Sequence, residues 1–173
     1  VSTCRAGNFI GGGDFAANRI IPYFVRAVEK GETIIVRNPY SVRPYQHVLE
    51  PVMAYFMVAM KQYEDYNFAG CYNIGPDEAD CISTGELVSL FCDKWGDGVR
   101  WEDCHDGGPH EAGFLKLDCA KVKNIFGWKP VWHVETAMEK IVEWYVGYLK
   151  KDNLTDITTQ QVEEYLSRYG QFN

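Results

Sequence analysis

The chain opens on a strand that breaks, within a few residues, into three consecutive glycines. Val1 to Ala6 reads as a buried strand, and Gly11, Gly12 and Gly13 turn the chain into a loop before Asp14. A run of glycines after a strand lets backbone amides approach an anion such as phosphate closely. The pattern GGGD is neither G-x-G-x-x-G nor a Walker loop, so the residues alone favour a plain tight turn. Asn8 lies in the strand-to-loop turn, where its amide can hydrogen-bond a phosphate or sugar oxygen.

The following segments alternate between strand and helix signals. Ile20, Ile21, Phe24, Val25 and Val28 form a helical stripe within 18–30, and Gly31 stops it. Thr33 to Arg37 is a β-branched strand ending before Asn38-Pro39. A long helix is expected from Pro44 to about Tyr63, with Val48, Val52, Tyr55, Phe56 and Ala59 on one side. Gly70 to Gly75 and Val99 to Cys104 are further short strands, and His105 to Gly113 is a loop. Ser83-Thr84-Gly85-Glu86 is a capping box that opens a helix through Leu87, Leu90, Phe91 and Trp95. A short helix runs from an Asp118 cap to Phe126 and ends at Gly127. Val134, Met138, Ile141, Val142, Tyr145 and Leu149 mark an amphipathic helix. A polar break from Lys150 to Asp156 precedes a last helix, expected to be capped at Thr158-Thr159-Gln160-Gln161. The order is an α/β pattern with a helical tail. Its parallel strands are few and short, as in a partial sheet that expects other strands beside it.

Composition narrows the partners. A chain of 173 residues is long enough for one domain with a sizeable core. Its net charge of −7 makes it a poor partner for nucleic acid or anionic lipid. Any phosphate it binds must be held by a few local arginines. Aromatics are abundant, with 11 Tyr and 5 Trp, and most are expected in the core while some suit stacking in a cleft. Six cysteines show no C-x-x-C spacing and no signal peptide is legible, so buried free thiols and a cytoplasmic setting are expected. Cys104, His105, His110 and Cys119 match no common zinc spacing, and no apolar run reaches membrane-spanning length.

Three places can carry chemistry. Arg37 closes a strand and Arg43 precedes the long helix, so two planar guanidinium forks across one turn can point at a diphosphate. Surface ion pairing with some of the 24 acidic residues explains them equally well. His47 is expected in the first turn of that helix, where a lone histidine is more often structural than catalytic. Glu111, in a loop bounded by glycines, can accept hydrogen bonds from sugar hydroxyls, although a solvated carboxylate is the ordinary reading. No Ser/His/Asp set and no acid–base pair of carboxylates is legible.

Five runs stand out: RAGNFIGGGDFA at 5–16, NRIIP at 18–22, IIVRNPYSVRPYQHVLEP at 34–51, YNIGP at 72–76 and HEAGFLKLDCAKVKNIFGWKPVW at 110–132. Together they resemble the C-terminal portion of the extended short-chain dehydrogenase/reductases that act on nucleotide sugars. The LD-x-x-K-x-x-x-x-x-GW-x-P signature is common to that family. RNP-x-x-x-RP-x-QH and HEA-x-x-LKLD are more particular to its CDP-glucose 4,6-dehydratase branch. The likeness spans almost the whole chain and weakens after about Lys151. It implies a partial Rossmann-type sheet with the small α/β substrate-binding domain over 1–151, and a helical tail over 152–173.

The resemblance also implies an activity. The family's NAD-dependent lyases oxidise C4 of the sugar, eliminate water across C5 and C6, and return the hydride to C6. Arg5 and Ala6 match positions near the nicotinamide end of NAD. Asn8 and Arg43 match positions at the diphosphate, with His47 beside them in the same run as a further substrate candidate. Arg19, Ile20, Ile35 and Arg37 match positions beside the nucleobase, and Glu111 falls in the loop that closes over the nucleotide. The family's glycine fingerprint and its Tyr-x-x-x-Lys pair have no counterpart here, since Tyr145 is followed four residues on by Leu149. Both would precede Val1. The expectation is a chain that binds CDP-glucose, holds no catalytic residue, takes up no NAD by itself, and is inactive alone. An exposed strand edge would favour a homo-oligomer, for instance a strand-exchanged dimer.

Overall fold

A computed structural model of the chain describes residues 1–104 and 115–169. Strands β1 (Thr3–Ala6) and β2 (Phe9–Ile10) precede helix α1 (Ile20–Glu29). Strands β3 (Ile34–Val36), β4 (Val42–Pro44) and β5 (Gln46–His47) lead into α2 (Leu49–Glu64). Then come β6 (Cys71–Ile74), β7 (Cys81–Ser83), α3 (Thr84–Trp95) and β8 (Trp101–Asp103). Helices α4 (Ala120–Phe126), α5 (Val134–Lys150) and α6 (Leu154–Tyr169) follow. The strands form two-stranded ribbons, with β1–β6, β2–β5 and β3–β8 parallel and β4–β7 antiparallel. Parallel neighbours need helical crossovers between them, and α1, α2 and α3 supply these.

Local chemistry sets several boundaries as expected. The Ser83 hydroxyl accepts from the Glu86 amide and the Glu86 carboxylate accepts from the Ser83 amide, completing the capping box of α3. Gly127, at φ 66°, ends α4 in the left-handed region. Asp118 accepts from the Ala120 amide at 2.9 Å, but the residue flanking α4 is Cys119, one position later than expected.

Other boundaries differ. The segment from Pro44 is not helical, because Val42–Pro44 pairs with β7 and Gln46–His47 with β2, so α2 begins only at Leu49. Its inner face is Glu50, Pro51, Ala54 and Val58, and Tyr55 and Phe56 point outward. This helix is apolar on both sides, so its hydrophobic stripe does not say which face turns inward. Helix α6 begins at Leu154, where the Asn153 side chain accepts from the Thr155 amide. Thr158 is inside the helix, and its hydroxyl accepts from the Trp144 indole at 3.0 Å.

The interior holds two apolar clusters. Phe24, Ile34, Phe91 and Met138 join α1, β3, α3 and α5 in one, while Ala54, Ile74, Val122 and Trp128 join α2, β6 and the α4 region in the other. The carboxylate of Glu50, 0% exposed, ties further elements together. It accepts from the Val131 and Trp132 amides at 3.0 and 2.7 Å and from the Tyr165 hydroxyl at 2.8 Å. Burial outweighs these three bonds and pushes its pKa up to about 7. Cys92 and Cys119 are buried, but Cys71 and Cys104 are exposed, which corrects the expectation of uniformly buried thiols. Among the described residues no helix is long and apolar enough to cross a membrane.

Candidate functional site

A cleft of about 870 Å³ opens between the start of α1 and the ends of β2, β3 and β4. Its floor is the Gly7–Gly11 segment, one wall is the entry and first turn of α1, and the other runs from Ile35 to Asn38 and on through Ser41 and Arg43. Helix α1 has no side-chain cap and no acidic residue in its first turn. Its N-terminal amides and partial positive charge therefore suit an anion.

The charge of the cleft opposes that of the chain. Among the described lining residues, Arg19, Arg37 and Arg43 face one carboxylate, Asp14, which lies 3.7 Å from the Arg19 guanidinium. Arg43 is half-buried on β4 and donates to the Val42 carbonyl at 3.0 Å, which orients the guanidinium. Hydroxyl groups add neutral polarity, with Ser41 and Thr84 bonded to each other at 3.0 Å. Phe9 supplies an exposed ring, with the Arg19 guanidinium 5.8 Å from its centroid.

Six of the residues singled out from the sequence meet here: Asn8, Arg19, Ile20, Ile35, Arg37 and Arg43 all line the cleft. His47 does not. It is 3% exposed, its Nδ1 accepts from the Leu49 amide, and its ring packs edge-on against Trp132. Burial and the Lys140 charge push its pKa down to about 3, so it stays neutral and inside. Arg5 and Ala6 lie on β1 outside the cleft wall, with Arg5 exposed and in register with Asn73. Glu111 lies outside the described residues, as do His105 and His110 of the zinc set.

The glycine loop is a tight turn, as its residues alone favour, and its smallness serves packing. A Cβ on Gly12 would overlap the indole of Trp144, and one on Gly11 would sit 2.7 Å from Val48 Cγ1. The run is small so that the loop can press on α5 and the start of α2, and Gly13, at φ +77°, completes the turn. Sequence reasoning missed Ser41, Tyr23, Tyr45 and Thr84 as lining residues. Tyr23 had a signal available, since it follows Arg19 by one helical turn. Ser41 and Thr84 had none, because their pairing depends on β4 meeting β7.

No protein-family model matches the chain. It is 38% identical over 168 residues to CDP-glucose 4,6-dehydratase of Salmonella typhimurium, which covers 96% of this chain and 47% of that protein. This chain is a relative of the extended short-chain dehydrogenase/reductases that process nucleotide sugars. It spans about half the length of the curated relative it matches. Solved structures of the family share the fold. A dTDP-glucose 4,6-dehydratase from Bacillus anthracis, in complex with NAD, superposes with a TM-score of 0.66 at 23% identity, over 83% of this chain and 43% of that one. A UDP-glucuronic acid 4-epimerase from Bacillus cereus, in complex with UDP-glucuronic acid and NAD, gives 0.70 at 12% identity, over 85% and 45%.

Those two family members hold NAD. A dinucleotide seat needs a glycine turn whose amides face a crevice at a helix N-terminus. In this chain the glycine turn is closed by Trp144, and Arg5 and Ala6 stand on a strand away from the cleft. The described residues do not fit the group.

Proposed function

We propose that this chain is the substrate-holding portion of a nucleotide-sugar 4,6-dehydratase and that its cleft binds a CDP-hexose. The observation that carries the reading is the convergence of Arg19, Arg37 and Arg43 on one cleft of an acidic chain. The guanidinium of Arg43 takes the diphosphate, the first turn of α1 adds its amides, and Asn8, Ser41 and Thr84 offer hydrogen bonds to ribose or hexose hydroxyls. Helix α6 (Leu154–Tyr169) is read as part of the same unit, a reading supported by the hydrogen bond from Tyr165 to Glu50. The groups that oxidise and dehydrate the sugar, and the seat for NAD, come from outside these 173 residues. Alone, the chain binds without turning over.

Titration of CDP, CDP-glucose and dTDP-glucose, followed by tryptophan fluorescence and by melting temperature, tests this. The two cytidine ligands should raise the melting temperature and dTDP-glucose should raise it less. Arg43→Ala should weaken CDP binding by roughly 10- to 100-fold, the loss of charge-assisted hydrogen bonds. An Arg43→Ala titration that overlays the wild type removes the diphosphate assignment.

A second reading, self-association, has its own observation. Strand β1 pairs only with β6 among the described strands, and the outward face of α2 beside it carries Phe56 at 61% exposure and Tyr63 at 94%. An open strand edge next to exposed aromatics favours a partner. Size-exclusion chromatography with light scattering should give a dimer that Phe56→Glu and Tyr63→Glu together return to monomer. A monomeric wild type at high micromolar concentration discards this reading.

A further inference from the structure

Among the described residues, the edge of β3 turned away from β8 is occupied by a side chain. In a parallel ribbon, alternate residues turn their backbone groups toward the partner strand. The Ile34 amide donates to Arg100 C=O at 3.1 Å and Val36 C=O accepts from the Cys104 amide at 2.9 Å, so these two residues face the β8 side. Ile35 between them faces the cleft. Its carbonyl accepts from the Tyr23 hydroxyl at 2.9 Å, and its amide donates to that same hydroxyl at 3.2 Å. A single phenol oxygen thus satisfies the donor and the acceptor of one extended residue. Tyr23 is itself 38% exposed, so solvent and a ligand in the cleft can both reach its ring.

An amide and a carbonyl side by side at a strand edge match the edge of a pyrimidine. Cytosine offers N3 as acceptor beside its exocyclic amine as donor. Phe9 lines the same cleft with an exposed ring, and Arg19 gives it a second flat neighbour. We propose that Tyr23 is a built-in plug of the nucleobase seat: its hydroxyl holds the Ile35 backbone pair until a base displaces it. The inference rests on the nucleotide-binding reading and adds a specificity device to it. Every base that binds must replace two hydrogen bonds already made, so a ring without an adjacent donor and acceptor gains nothing by entering. The diphosphate end of the site is indifferent to the plug.

Tyr23→Phe tests this with CDP and inorganic pyrophosphate as probes. Removing the hydroxyl exposes Ile35 to solvent and spares the base the displacement. The variant should bind CDP more tightly than wild type, by roughly three- to tenfold, the worth of one or two net hydrogen bonds. Pyrophosphate affinity should not change. In the variant, hydrogen exchange at the Ile35 amide should be fast without ligand and slowed by CDP. In the wild type, nuclear magnetic resonance should show the Tyr23 ring signals shifting with CDP and not with pyrophosphate, a readout that needs no mutation. Unchanged or weaker CDP binding by a folded Tyr23→Phe overturns the plug, as does a wild-type Tyr23 ring indifferent to CDP. A wild type that binds pyrophosphate and CDP equally well removes the base seat but leaves the phosphate site. One that binds neither removes the nucleotide reading as well.

Discussion

Glu50→Ala should lower the unfolding free energy by about 4 kcal/mol in a urea titration. The carboxylate accepts from the Val131 and Trp132 amides and from the Tyr165 hydroxyl, and truncation takes the acceptor from all three donors at a buried position. Each buried donor left without a partner costs about 1–3 kcal/mol, and relaxation recovers part of the sum. Glu50→Gln separates charge from shape, since the amide can still accept from both backbone groups and donate to the tyrosine oxygen. The native carboxyl titrates at about 7, above its ordinary value of 4.5, because burial penalises the charged form. The folded state therefore binds the proton more tightly than the unfolded chain. That stabilisation is complete below about pH 4.5 and is lost as pH rises through about 7, a swing on the order of 3 kcal/mol. Glu50→Gln should match the wild type near pH 5 and exceed it at pH 8. His47 is buried neutral and pulls the other way below pH 6.5, but it is common to both proteins and cancels in the difference. If Glu50→Gln loses as much stability as Glu50→Ala at every pH, the carboxylate is not held in the way described.

The second large effect comes from one added methyl group. Gly12→Ala should cost about 3 kcal/mol, since its Cβ would lie 2.7 Å from Trp144 Cδ1 and closer still to Cγ and Cδ2. The ring cannot easily retreat. Its Nε1 donates to Thr158, and Tyr145, Tyr148 and Phe15 surround it. Gly13→Ala is the control, because its nearest neighbour would be 3.6 Å away and only the positive φ is unfavourable. That substitution should cost about 1 kcal/mol. Gly12→Ala should also redden tryptophan emission, as Trp144 is pushed off the loop. Equal melting temperatures for Gly12→Ala and the wild type would show that the loop does not seat against α5.

The elements that could be read in advance are those whose causes are local. The Ser83–Glu86 box, the Gly127 stop and the amphipathic stripe of α5 each lie within one or two turns of chain. The α/β order was legible for the same reason, and so was Arg37 just past the end of β3, whereas Arg19 entered through the family resemblance and Arg43 through a helix start that the structure replaces with β4. What escaped depends on distant partners. Pro44 to His47 carries apolar and aromatic residues that suit a helix as well as a strand, and only β7 and β2 decide the matter. His47 passed for a cleft residue because it shares a run with Arg43, yet the turn of chain at β5 directs it toward Trp132. The three glycines read as a plain tight turn, but why all three must be small was hidden, because the bulk that they accommodate, Trp144, lies far along the chain.

The β1–β6 ribbon has a consequence for synthesis. Thr3 and its partner Cys71 are 68 residues apart. At a translation rate of roughly 5–20 residues per second, β1 leaves the ribosome several seconds before the strand that pairs with it exists. Through that interval its backbone amides and carbonyls are open to any extended nascent chain nearby, and a chaperone that shields them should raise the yield of folded protein.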